Sequence, residues 1–219
     1  MLRDTWSWLA LVLSALLVGG YELHLLRVGR RDPEATARSA HRVLRREWVE
    51  TLSRQAGSEL LAVQALRNSL MSATINASTA ALALMGSISL IAAKSFAADA
   101  REVSPQLVLQ IALALTLFAA QVCSALAMRY YHHAGFAMSL PVGSPERGER
   151  AQLASSYVQS AGTLYSWSLR CFLFVAPIVA GLLNPLLAPV GALGLLFVLV
   201  VFDRVPSQRA GDREPPGLN

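Results

Sequence analysis

Five apolar runs, at about 6–26, 69–93, 106–128, 165–183 and 186–202, alternate with polar or turn-rich breaks along the chain. Most approach the roughly 20 residues that a helix needs to cross hydrocarbon, and the last sits at the short end. The first run opens with Trp6 and Trp8, residues suited to a membrane interface. Its leading residues are almost neutral, Arg3 against Asp4, and no small-residue cleavage site closes it. It therefore reads as a retained span rather than a signal peptide. Ser104-Pro105 starts the third helix, which runs through Leu107 to Met128 and on to Arg129-Tyr130-Tyr131-His132-His133. After the break around Pro141, Gly143 and Pro145, a helix runs from about Glu146 to Leu183, and Asn184-Pro185 makes a tight turn.

Between the first two runs lies a different pattern. Asp32, Pro33 and Glu34 form a helix start: a cap, a proline at the first position and an acid in the first turn. On the helix that follows, about 33–56, Ala40, Val43, Leu44, Trp48 and Leu52 share one side. Arg38, Arg42, Arg45 and Arg46 share the opposite side. Two placements fit this amphipathic helix: lying in the membrane interface, or packed on its neighbours in the cytosol. Gly57 and Ser58 end it.

The second run has a pattern of its own. At about 100° per residue, Gln64, Asn68, Ser72, Asn76 and Thr79 fall on one face, followed by Ala83 and Gly86. Ile75 and Leu82 interrupt that face, and Leu66, Leu70, Leu84 and Ile88 lie opposite. Such a seam of polar and small residues either holds helices together or lines a water-filled path. It is expected to turn inward, to protein or water. The sequon Asn76-Ala77-Ser78 falls inside the run and is discounted.

Composition sharpens this picture. Of 219 residues, 54% are hydrophobic and only 15% charged, against about 25% charged for an ordinary soluble domain. The class is an all-α, polytopic transmembrane helix bundle of four to five spans, with a cytoplasmic amphipathic helix after the first. Residues 1–203 form one membrane domain, and 204–219, rich in proline, glycine and charge, are expected to be disordered. The net charge of +5 gathers between apolar runs, with nine arginines from Arg27 to Arg67. That segment is expected to be cytoplasmic, facing anionic lipid, with the amino terminus outside. No basic stretch interleaved with aromatics suggests nucleic acid. Cys123 and Cys171 sit singly in apolar runs and read as buried thiols. Near-absence of lysine beside abundant arginine suits a high-GC bacterial genome, hence a bacterial inner membrane.

Four charges near the span ends invite ion pairs or a functional role: Glu22, Arg67, Arg129 and Arg170. Arg170 is placed level with Glu22 and Arg67, so a Glu22–Arg170 or Glu22–Arg67 pair is expected. Arg67 reads as an interfacial anchor or as an anion attractor at a pore mouth. His132 and His133 form a polar cluster at a helix end, where cations are favoured. Adjacent histidines point about 100° apart on a helix, so they rarely share one metal. No hydrolase, metalloprotease, phosphate-loop or dinucleotide motif occurs. No catalytic residue, metal or cofactor is assigned.

The run Gln64-x-x-Arg67-Asn68-x-x-Met71 leading to Ala77-Ser78, preceded by Arg45 and Trp48 in RREWVE, resembles the signature of the domain of unknown function 599 family. The ending 129–133, the Arg170 to Pro177 stretch and the closing Phe202-Asp203 are similar to that family's later motifs. Ser168 departs from the glycine expected two residues before the arginine. The resemblance covers about Glu22 to Asp203 and implies an integral membrane protein of uncharacterised function. Three functional classes are weighed: a self-associating, non-enzymatic component forming a channel or small-solute path; an accessory subunit of a larger membrane complex; and a metal-dependent membrane enzyme.

Overall fold

In the computed structural model, residues 2–31, 37–95 and 103–203 are described. They form six α-helices: α1 (Leu2–Arg31), α2 (Ala37–Arg54), α3 (Glu59–Ser95), α4 (Pro105–Met138), α5 (Pro145–Leu183) and α6 (Ala188–Asp203). A single 3-10 turn, Pro185–Leu187, joins α5 to α6. The expected start at Asp32 to Glu34 and the tail 204–219 lie outside the described residues. The architecture is an all-α bundle, and four of its helices, α1, α3, α4 and α5, are long and apolar enough to cross a membrane.

The helix ends follow from local chemistry. Ser104 and Ser144 cap α4 and α5, their hydroxyls accepting from the amides of Leu107 and Arg147 at 3.2 Å each. Each is followed by a proline that needs no hydrogen-bond partner there. Asn184 ends α5, and its side-chain oxygen accepts from Leu186 N–H at 3.1 Å. Gly57 and Gly143 adopt φ of +82° and +91°, the left-handed backbone that turns the chain between helices.

Helices α3, α4 and α5 contain 37, 34 and 39 residues. At 1.5 Å per residue they are about 50–60 Å long, against about 30 Å of hydrocarbon. Their surplus projects past one end, where α2 joins them. The buried core there is that of a water-soluble four-helix bundle: Val49, Leu52, Leu66, Met138 and Val158, with Tyr131 and several alanines. We call this part the headpiece. Arg147 is sealed into its far corner, 2% exposed, and its Nη1 donates to the carbonyl of Ala137 at 2.8 Å. Glu59 closes the same corner by accepting from Val142 N–H at 2.9 Å. The amphipathic helix is thus packed on its neighbours, with Val49 and Leu52 buried against protein.

The remaining part, the membrane half, is built from α1, α6 and the other ends of α3 to α5. Its buried contacts combine leucines, Leu109, Leu117, Leu195 and Leu199, with small side chains such as Ala80, Ala120 and Cys171 that let helices approach closely. Helix α6 has 16 residues, about 24 Å, and returns along α1 and α5 as far as Arg170.

Candidate functional site: a buried charge cluster joining three helices

Three helices that carry almost no charge in their apolar stretches meet at their few ionised residues. Arg170 of α5 donates from Nη1 to Glu22 of α1 and from Nη2 to Asp203 of α6. Tyr21, beside Glu22, donates its hydroxyl to the other oxygen of Asp203 at 3.2 Å. The side chains of Arg170, Glu22 and Asp203 are only 9%, 12% and 15% exposed. A guanidinium suits this place because its planar fork addresses two carboxylates at once. Of the two pairings expected for Glu22, the one to Arg170 is made.

Two residues before Arg170, Ser168 is fully buried and shares a 2.6 Å hydrogen bond with the equally buried Ser124 of α4. The hydroxyl at the departing position is therefore satisfied by a partner on the neighbouring helix. Together these contacts tie α1, α4, α5 and α6 at one level. Removing one partner of such a buried pair costs about 3–5 kcal/mol, because the other charge is left stranded.

Those contacts, with Thr74 of α3 donating to the sulfur of Met128 at 3.1 Å, also set the register between helices. By that register Arg129 stands opposite Thr163, about 10 Å along the axis from Arg170 on the headpiece side. Trp6 lies about 24 Å from Glu22 in the other direction. A 30 Å hydrocarbon layer fits between the Trp6 level and roughly that of Arg129. In such a layer the charge cluster stands about 10 Å from one edge, and ionisable residues within a membrane mark function by default.

The other sequence candidates separate from this cluster. Arg67 is exposed and about 20 Å nearer the headpiece than Arg170, so it is not level with Glu22, and this corrects the expected placement. A helix rises 1.5 Å per residue, and α3 begins far into the headpiece, which carries Arg67 out of the layer. Arg129 is exposed at the layer's edge. His132 and His133 are both exposed; His133 stacks on Tyr157 and His132 on Phe136, at centroid distances of 5.5 and 6.4 Å. No group of three or more His, Cys, Asp or Glu among the described residues could hold a metal ion.

The seam of α3 does not pack on the other helices of the chain. Gln64, Asn68, Ser72 and Thr79 are exposed, and Asn76 is half-buried. The stripe that packs on α4 instead runs through Ala62, Leu66, Ala73, Ala77, Ala80 and Ser87. At 100° per residue it lies about 120° around from the seam, with Asn76 between them. The seam can face outward because its hydroxyls are satisfied within the helix. Ser72 donates to the carbonyl of Asn68 at 3.1 Å and Thr79 to that of Ile75 at 2.9 Å. Alanines win the inward face because they permit the closer approach.

Sequence reasoning missed Tyr21, Ser124 and the place of Asp203 in the cluster. One signal was available. Asp203 closes an otherwise uncharged apolar run, and Glu22 sits late in another, so each needed a cation at its own depth.

Four apolar helices of spanning length around a buried ionic cluster define a multi-pass helical membrane protein. The family model described as "Protein of unknown function, DUF599" matches residues 9–208, so the chain belongs to that family. Nothing among curated proteins or solved structures matches it.

Proposed function

We propose that this protein is a non-enzymatic membrane component that self-associates through the outward face of α3. In this reading the headpiece lies in the cytoplasm, on the arginine-rich side of a bacterial inner membrane. Two copies meet along Leu61, Gln64, Asn68, Ser72, Ile75 and Thr79. Where several copies surround an axis, the same polar stripe lines a path for ions or small solutes.

One observation carries the reading: this stripe is continuous, exposed and crosses from headpiece to membrane half. Leu60 and Leu61 are 69% and 59% exposed although they sit about 30 Å from the level of Arg170, beyond the hydrocarbon layer. Apolar side chains exposed to water beside an amide-bearing edge mark an interaction surface. Within the chain α3 rests almost wholly on α4, leaving that edge for a partner.

Cysteines introduced one at a time in a background lacking Cys123 and Cys171 test the reading. Ser72→Cys and Thr79→Cys should form crosslinked dimers in native membranes, while Phe118→Cys, on the exposed side of α4, should not. Equal crosslinking from all three, or none from the α3 pair, overturns it. Ion or solute flux in liposomes then separates a conducting assembly from a closed one.

A further inference from the structure

Where α2 crosses α5, a pocket of about 420 Å³ is lined by Arg42, Tyr130, Gln159, Ser160, Thr163 and Leu164. No carboxylate lines it. Beside it the Arg45 side chain packs on Gly162, where a Cβ would come within 2.6 Å of its Nε and Cζ. Its Nε is buried and has no hydrogen-bond partner. Burial first, then the neighbouring charge of Arg42, weakens Arg45's hold on its proton, and nearby Tyr131 opposes that effect. Arg42 therefore lines a pocket with no acid, and the Arg45 side chain packs on Gly162 beside it.

The hydroxyl of Thr163 is committed to the carbonyl of Gln159 at 2.8 Å, and the Gln159 amide donates to Ser155 at 3.2 Å. That leaves Arg42, Ser160, Tyr130 and the second N–H of Gln159 as donors, from three different helices. The adjoining groove along α2 and α5 differs: there Arg46 is already answered by Glu50 at 3.6 Å. Depth adds a further argument. Thr163 stands at the level of Arg129, about 10 Å from Arg170, where hydrocarbon gives way to headgroups.

We propose that this pocket binds a phosphate group, delivered by the headgroup of an anionic lipid, with Arg42 as its principal ligand. Several acceptor oxygens on one anion match these donors, and the Arg42 guanidinium gains a counter-charge. The site stands whether or not copies pair through α3.

Full-length protein, delipidated in detergent, is titrated with phosphatidylglycerol, phosphatidylcholine or inorganic phosphate. Phosphatidylglycerol should bind in preference to phosphatidylcholine. Arg42→Gln should weaken that binding about tenfold or more, the loss expected for a charge-assisted hydrogen bond. Ser160→Ala should weaken it less, and Arg42→Lys should restore part of it. Arg54→Gln, in the adjoining groove, should change it by less than about twofold. Competition by inorganic phosphate would show that the pocket also accepts the free anion; its failure to compete assigns the site to lipid alone. Equal losses from Arg42→Gln and Arg54→Gln, or none from Arg42→Gln in protein that still melts cooperatively, overturn the proposal.

Discussion

In the headpiece, Val49, Leu66 and Met138 are buried and arginines such as Arg46 and Arg67 face outward. Across the membrane half Leu117, Leu195 and Leu199 are still buried, but many large apolar side chains face outward. Leu16, Leu82 and Phe197 are 67%, 71% and 73% exposed, whereas Ser124, Ser168 and Arg170 are buried. Water outside the headpiece drives large apolar side chains inward. Hydrocarbon outside the membrane half removes that drive, so close contact of small residues and satisfied polar groups hold the helices instead. One helix, α5, serves both regimes, burying Val158 at one level and Arg170 at another. Buried volume thus contributes in both parts, and the membrane half adds a cluster of specific polar pairs around Arg170.

The strongest break of this contrast is Arg170→Ala. Losing the guanidinium strands Glu22 and Asp203 in a low-dielectric site and should cost about 3–5 kcal/mol. Unfolding in mixed micelles would measure it, and a loss below that of a surface arginine would sink the polar-pair account. Met138→Ala is the headpiece counterpart. Met138 is fully buried, and truncation should cost about 2–5 kcal/mol through the cavity left behind.

Gly162→Ala probes the junction of the two regions. The added Cβ meets the far end of the flexible Arg45 side chain at 2.6 Å, so that side chain must swing aside, at a cost no greater than the low end of overpacking, about 1 kcal/mol. An Arg45→Ala change in the same chain should recover most of that loss, and a double-mutant cycle would read the coupling. The smallest effect belongs to Ser168→Ala. Hydrogen bonds inside membranes average about 0.6 kcal/mol, so removing the Ser124–Ser168 bond should shift unfolding only slightly.

Much of the fold was legible from the chain. Ser104-Pro105, Asn184-Pro185 and the break around Gly143 lie where the structure places helix ends, because caps and turns depend on a few adjacent residues. The span at 69–93 was legible as apolar length, yet α3 begins at Glu59, since a helix that continues into water carries no hydropathy signal at the boundary. The Glu22–Arg170 pair was reachable because a buried charge demands an opposite one. That Asp203 and Tyr21 complete it depends on how α6 folds back.

The sequence alone determined the helical class, the order of the apolar segments and their capped ends, since covering backbone polar groups in lipid leaves few alternatives. Only the tertiary structure decided which edge of α3 faces α4, and where α2 rests. The reason is physical: Ser72 and Thr79 satisfy their hydroxyls within their own turn, so polarity did not compel burial, and the tighter fit of Ala73, Ala77 and Ala80 against α4 settled the choice.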